Sequence, residues 1–181
     1  SIMQNEIASS GKPSSQWQME KMQKTTILVD VIPPDMSKEI SGLRLNELES
    51  LVKTYGGIAV SKVIQKKGMP DYKTYIGSGK LNEILEQNKL ADKKNKANLL
   101  ILNNILKPQQ VYNLEEICKK DGIEVWDRID IILKIFDKHA KSVEAKLQIE
   151  LAAIKHMGPR IYGMGLELTR QGGGIGTRGL G

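Results

Sequence analysis

Between Asn98 and Asn103 stand four consecutive large aliphatic residues, Leu99-Leu100-Ile101-Leu102. An extended segment that is apolar on both faces has to be covered on both sides, which is the situation of a strand buried in a parallel sheet. The flanking sequence supplies the cover. Thr25-Thr26-Ile27-Leu28-Val29-Asp30-Val31-Ile32 reads as a strand stopped by Pro33-Pro34, and Leu45, Leu48, Leu51, Val52 and Tyr55 then share one helix face, closed by Gly56-Gly57. Ile58 to Gln65 reads as a second strand, ending in Lys66-Lys67-Gly68. After a loop, a helix starts near Gly79 with Leu81, Ile84 and Leu85 turned inward. A further helix begins at Pro108, carries Val111, Leu114, Ile117 and Cys118, and ends at Gly122 before a short strand, Ile123-Glu124-Val125-Trp126. Strand and helix alternate throughout, with no internal repeat. The expected fold class is α/β: a four-stranded parallel sheet flanked by helices, in strand order 2-1-3-4.

Residues 128–157 break that rhythm, since they contain neither glycine nor proline. Ile129, Ile132, Leu133, Phe136, Ala140, Val143, Leu147, Leu151 and Ile154 follow one another in steps of three and four, the spacing of one helix face. Lys134, Lys138, Lys141, Glu144, Lys146 and Glu150 occupy the opposite face, too charged to cross a membrane. The pattern fits either one helix of roughly 40 Å at about 1.5 Å per residue or two helices broken near His139. Part of the stripe can pack on the preceding domain and the rest needs a second helix. The chain is therefore expected to be a piece of something longer, an arm forming half of an antiparallel helical hairpin; the alternative is a dimer that closes the stripe with its twin. Residues 158–181 then read as a loop. They hold nine of the seventeen glycines, and three of the five arginines, Arg160, Arg170 and Arg178. The expected organisation is a flexible polar lead or tag remnant over residues 1–24, an α/β domain over 25–127, the arm over 128–157 and the Gly/Arg-rich loop over 158–181.

Glycine leaves backbone amides bare, and arginine presents a permanently charged planar fork suited to phosphates and base edges. Arg160, Arg170, Gln171, Gly172, Gly173, Gly174, Gly176, Thr177 and Arg178 are accordingly the candidate RNA-binding residues. Apolar Ile161, Tyr162, Met164, Leu166 and Leu168 interrupt the stretch, which a plain linker seldom shows. A net charge of +6 and a pI near 9.3 favour an anionic partner. Aromatic residues make up only 4% of the chain, which argues against a broad stacking platform and for backbone or shape contacts. A single cysteine, Cys118, excludes a disulfide framework, fits a reducing compartment and sits where a buried structural thiol belongs. With no signal peptide or membrane span in the sequence, a cytoplasmic, monomeric protein is expected.

Gly77-Ser78-Gly79-Lys80 suggests a phosphate loop, but Thr74 stands where the first glycine is needed and Leu81 where a hydroxyl is needed. What remains is a helix N-terminus with a lysine, a weak anion or nucleotide candidate. Gly174-Ile175-Gly176-Thr177-Arg178-Gly179 matches the dinucleotide fingerprint by letter, yet follows a helix and has no acidic residue twenty positions on. His139 and His156 are the only histidines and show no zinc-ligand spacing. Asp127, Asp130 and Asp137 lie where acids cap a helix or complement its dipole. The chain carries no recognisable catalytic constellation and no metal site.

Three segments together resemble the HflX family of ribosome-associated GTPases: Tyr75-Ile76-Gly77-Ser78-Gly79-Lys80; Lys146-Leu147-Gln148-Ile149-Glu150-Leu151-Ala152; and above all Thr169-Arg170-Gln171-Gly172-Gly173-Gly174-Ile175-Gly176-Thr177-Arg178-Gly179. Asp127-Arg128 also fits, and the likeness covers residues 25–181. It implies an N-terminal α/β domain, a helical hairpin whose loop reaches large-subunit ribosomal RNA near the peptidyl-transferase centre, and a GTP-binding domain that follows. It also implies separation or rescue of stalled ribosomes, with release on GTP hydrolysis. Two features depart from the family: Leu180 stands where a Pro-Gly-Glu continuation begins, and the GTP-binding domain, with its GTP and Mg²⁺, is not in this chain. No cofactor is therefore expected on the chain itself. The rival readings are a nucleotide-sensing regulatory α/β domain and a protein–protein interaction module.

Overall fold

The computed structural model describes residues 23–172. Residues 1–22 of the expected lead and 173–181 of the expected loop lie outside the described residues. Strand β1 spans Thr25–Ile32, helix α1 Lys38–Tyr55, β2 Ile58–Lys66, α2 Ser78–Leu90, β3 Leu99–Leu102, α3 Pro108–Cys118, β4 Glu124–Asp127, α4 Arg128–His139 and α5 Val143–Gly172. All strand pairings are parallel, and the order is β2-β1-β3-β4, as the sequence predicts.

Each strand turns alternate residues to opposite layers. One layer holds Ile27, Val29, Val31, Leu100, Leu102 and Val125 against Leu81, Ile84 and Leu85 of α2 and Val111, Leu114 and Cys118 of α3. The other holds Leu28, Leu99, Ile101 and Trp126 against Leu45, Leu48 and Val52 of α1 and Ile131 of α4. This is why β3 tolerates four consecutive aliphatic residues: each meets a helix. Helix α1 starts at Ser37, whose hydroxyl accepts the Ile40 amide, and ends at Gly56, whose φ of +102° only glycine adopts freely.

Cys118 is fully buried, and that burial pushes its thiol up to about 12. Above pH 9, the ordinary value, the unfolded chain sheds this proton while the folded chain retains it, so stability falls as pH rises through the 9–12 window. The expected loss from this group is about 1.4 kcal/mol between pH 8 and pH 10. Denaturant titrations of the wild type and Cys118→Ala at both pH values check it: the variant should lack that part of the pH dependence. Thiol reagents should label the native chain slowly at pH 8 and the unfolded chain at once.

The arm is two helices, broken after His139. Ala140 leaves the helical region with ψ of 127°, and Ser142 restarts the chain by accepting the Ala145 amide on its hydroxyl. Lys138 donates to the carbonyl of Tyr55 at 2.5 Å, placing a cation at the end of α1 and fixing the end of α4 there.

One boundary differs from expectation. The sequence predicts that the arm ends at residue 157 and a loop begins at Gly158, but α5 continues through Gly158-Pro159 to Gly172. Proline removes one rung of the ladder, the bond to the Lys155 carbonyl, at a cost of roughly 3 kcal/mol. Good helix formers on both sides, including Leu166, Glu167, Leu168, Arg170 and Gln171, carry the helix across it. Helix α5 is about 45 Å long at about 1.5 Å per residue.

Candidate RNA-binding arm and its anchorage

The carboxyl edge of the sheet is where open α/β folds bind ligands, at the point where strand order reverses. Here that point lies between β1 and β3, and side chains fill it. Asp30, fully buried on β1, accepts Arg44 Nε at 2.8 Å and Nη2 at 2.9 Å, and the Asn103 amide at 3.1 Å. Arg128, the first residue of α4, donates to Asn103 Oδ1 at 2.7 Å and to Glu47 at 2.6 Å. The bond to Asp30 raises the Arg44 guanidinium further above its already high value. The network ties α1, β1, β3 and α4 together and leaves both arginines occupied by protein.

The weak anion or nucleotide candidate, Gly77–Lys80, lies at the start of α2. The Gly77 amide donates to Gln65 Oε1 at 2.9 Å, and Lys80 pairs with Glu83 at 2.9 Å. Leu81, standing in place of the hydroxyl a phosphate loop requires, is buried in the core. Ser78 and Gly79 open α2 on the surface.

Beside this edge, three residues that the sequence leaves apart come together. Asp127 caps α4: its Oδ1 accepts the Asp130 amide at 2.9 Å, while Asp130 Oδ2 accepts the Asp127 amide at 2.9 Å. The Leu106 amide donates to Asp127 Oδ2 at 3.4 Å. His156 Nε2 lies 3.2 Å from Asp127 Oδ1 and 3.3 Å from Asp130 Oδ1. The capping role of the two acids was legible from their position at the start of the helix. The His156 partnership spans 29 residues and has no local signal; it arises because α5 folds back along α4. The three ligand-type atoms lie within 4.8 Å of one another; in this structure the carboxylates are engaged by the capping bonds and by the imidazole, which ties α5 to the start of α4 as a latch.

The packing of α5 on α3 and α4, together with this contact, sets the direction of the arm. Helix α4 starts at the carboxyl edge and runs back along the sheet, so α5, antiparallel to it, returns toward that edge and passes it at His156. Sixteen more helical residues follow, 157–172, which is about 24 Å at about 1.5 Å per residue. Arg160, Arg170, Gln171 and Gly172 belong to this projecting portion, whereas Gly173, Gly174, Gly176, Thr177 and Arg178 lie outside the described residues. Ala145, Ile149, Ala153 and His156 are the half-buried line of α5. The expected apolar stripe, Val143, Leu147, Leu151 and Ile154, is between 53% and 74% exposed, and Phe136 of α4 is 55% exposed. Among the described residues nothing covers it.

The fold is thus an α/β body that carries a two-helix arm from its last strand. Residues 43–137 match the family described as GTP-binding GTPase N-terminal, and residues 139–181 match the GTP-binding GTPase middle region. Over 135 residues the chain is 47% identical to GTPase HflX of Alkalihalophilus pseudofirmus, covering 75% of this chain and 30% of that protein. It is 39% identical to GTPase HflX of Caldanaerobacter subterraneus subsp. tengcongensis over 164 residues, 91% of this chain and 36% of that one. With GTPase HflX of Escherichia coli it shares 39% identity over 137 residues, 76% of this chain and 30% of the relative. A solved structure of a GTP-binding protein from the hyperthermophilic archaeon Sulfolobus solfataricus, in complex with GDP, superposes with a TM-score of 0.59 at 33% identity, covering 80% of this chain and 40% of that one. The chain belongs to the HflX GTPase family. It spans about a third of the length of the curated relatives it matches. Among the described residues, no helix is long and apolar enough to cross a membrane.

Proposed function

We propose that this chain is the ribosome-binding part of an HflX-type GTPase of the cytoplasm, which binds the large ribosomal subunit and dissociates or rescues ribosomes. The arm carries Arg160, Arg170 and Arg178, with the glycine-rich backbone between them, to ribosomal RNA. GTP hydrolysis, with its Mg²⁺, belongs to a GTP-binding domain elsewhere in the same polypeptide. One observation carries the reading: α5, latched to the body at His156, runs on for sixteen residues into the Arg/Gly segment. The uncovered line Val143–Leu147–Leu151–Ile154 is the seat of a returning helix from that same polypeptide, which keeps the protein monomeric. Burying each of these side chains stabilises by roughly 1.5–3 kcal/mol.

Co-sedimentation of the chain with purified ribosomal subunits tests this. Saturable binding to large subunits, weakened by salt, is the expected result; pelleting equally with both subunits, or with neither, contradicts it. The same exposed line favours a second reading, a protein-interaction module. That reading requires a tight dimer in analytical ultracentrifugation, with no affinity for RNA.

A further inference from the structure

We propose that residues 67–77, the loop between β2 and α2, form a second and preformed RNA contact, in which Tyr72 stacks on an unpaired base and Lys67 and Lys73 meet phosphates. The proposal rests on the reading of the chain as RNA-binding. It places a contact on the body, away from the arginine tip.

The loop is held in shape from within. Asp71 Oδ1 accepts the amides of Lys73 at 2.8 Å and Thr74 at 3.0 Å, and the Thr74 hydroxyl at 3.2 Å. The backbones of Asp71 and Tyr75 exchange both hydrogen bonds, at 2.8 and 3.0 Å. Tyr75 takes φ of +64°, a left-handed conformation unusual for a bulky residue and retained only where neighbours enforce it. Helix α3 braces the loop from outside. Gln110 donates to the carbonyls of Asp71 at 2.9 Å and Tyr72 at 3.4 Å, and Asn113 to that of Lys73 at 2.9 Å.

On this ordered backbone Tyr72 stands in water, with Met69 exposed just before it. Tyr72 is 84% exposed and Met69 79% exposed. An isolated exposed tyrosine needs no explanation, but one on a loop fixed by this many bonds has already lost the freedom that binding would otherwise remove. The surrounding charge selects the partner. Lys66, Lys67 and Lys73 bring three cations to this end of β2 and its loop; none makes an ion pair within 4 Å among the described residues, although Lys67 lies near enough to Asp71 to act on its charge. Asp71, the carboxylate within the loop, is held below the usual range chiefly by the Thr74 amide, with further contributions from the Lys73 amide, the Thr74 hydroxyl and the Lys67 charge. An aromatic face flanked by lysines matches a base with its adjoining phosphates, because every base offers a face for stacking. The loop follows β2 at the carboxyl edge of the sheet, the edge past which α5 projects, so a single RNA surface can meet both.

The test compares Tyr72→Ala, Tyr72→Phe, the double variant Lys67→Ala/Lys73→Ala and the tip variant Arg170→Ala/Arg178→Ala, all in the 181-residue chain. Binding is measured to RNA extracted from large ribosomal subunits and to intact subunits, over a range of salt. Tyr72→Ala should weaken binding to the extracted RNA about five- to tenfold, and Tyr72→Phe, which keeps the ring, should stay close to wild type. The lysine variant should flatten the log–log salt slope by about 1 to 2. Because Tyr72 makes no buried contact, thermal melts should coincide with wild type. If the loop variants bind like wild type while the tip variant is weakened, the loop proposal is overturned and the tip reading stands. Weakened binding to subunits but not to extracted RNA would assign the loop to a ribosomal protein and overturn it too. If the wild-type chain binds neither RNA nor subunits, both readings fail.

Discussion

Replacing Asp127 by alanine is expected to lower stability by about 2–4 kcal/mol and to loosen α5 from the body. Loss of a helix N-cap costs about 0.5–2 kcal/mol, and each buried donor left without an acceptor adds about 1–3 kcal/mol. Asp127 is fully buried and serves the Asp130 amide, the Leu106 amide and His156 together. Two milder variants separate its roles. Asp127→Asn keeps a carbonyl oxygen for the cap and should recover a large part of the loss. His156→Ala leaves the cap intact and should act mainly on the arm, raising hydrogen exchange in α5 while leaving α1 and the sheet protected. Equal destabilisation throughout the body by His156→Ala would contradict the latch.

The second large effect concerns the tip. Three phosphate contacts from Arg160, Arg170 and Arg178 give a log–log salt slope of about −2 to −3, or roughly a 20- to 40-fold loss of affinity from 50 to 200 mM salt. The double substitution Arg170→Ala/Arg178→Ala leaves one such contact, so the slope attributable to the tip should fall below about 1 in magnitude and the salt-driven loss to about threefold. Filter binding or co-sedimentation across salt measures this directly. Arg→Lys at the same positions keeps the charge and loses the fork; a salt slope restored without restored affinity would show that geometry matters as well as charge.

The α/β body was legible because its signals are local. Leu99–Leu102 demand cover on both faces, Gly56 marks a helix end that needs positive φ, and Pro108 opens a helix where its missing N–H is harmless. The observed strand order agrees with the expected one, though alternation by itself dictates only that the strands are parallel. Asp30 stood in plain view within an apolar strand, but its partners lie 14 and 73 residues away and no periodicity points to them. His156 was hidden for the same reason, since its ligands are set by the fold-back of α5. The concentration of glycine from Gly158 onward reads as a loop, whereas α5 continues through Gly158-Pro159 to Gly172. Tyr72 and its lysines carry no motif in the sequence; their exposure on a braced backbone is what distinguishes them.

The most direct measurement is chemical footprinting of large-subunit RNA with the intact chain and with Arg170→Ala/Arg178→Ala. If the arm delivers its tip into folded RNA, the wild type should protect a cluster of nucleotides in the interior of the subunit that the variant leaves reactive, while protections made by the body persist. Identical footprints from the two proteins, or protections confined to the subunit surface, would contradict the account.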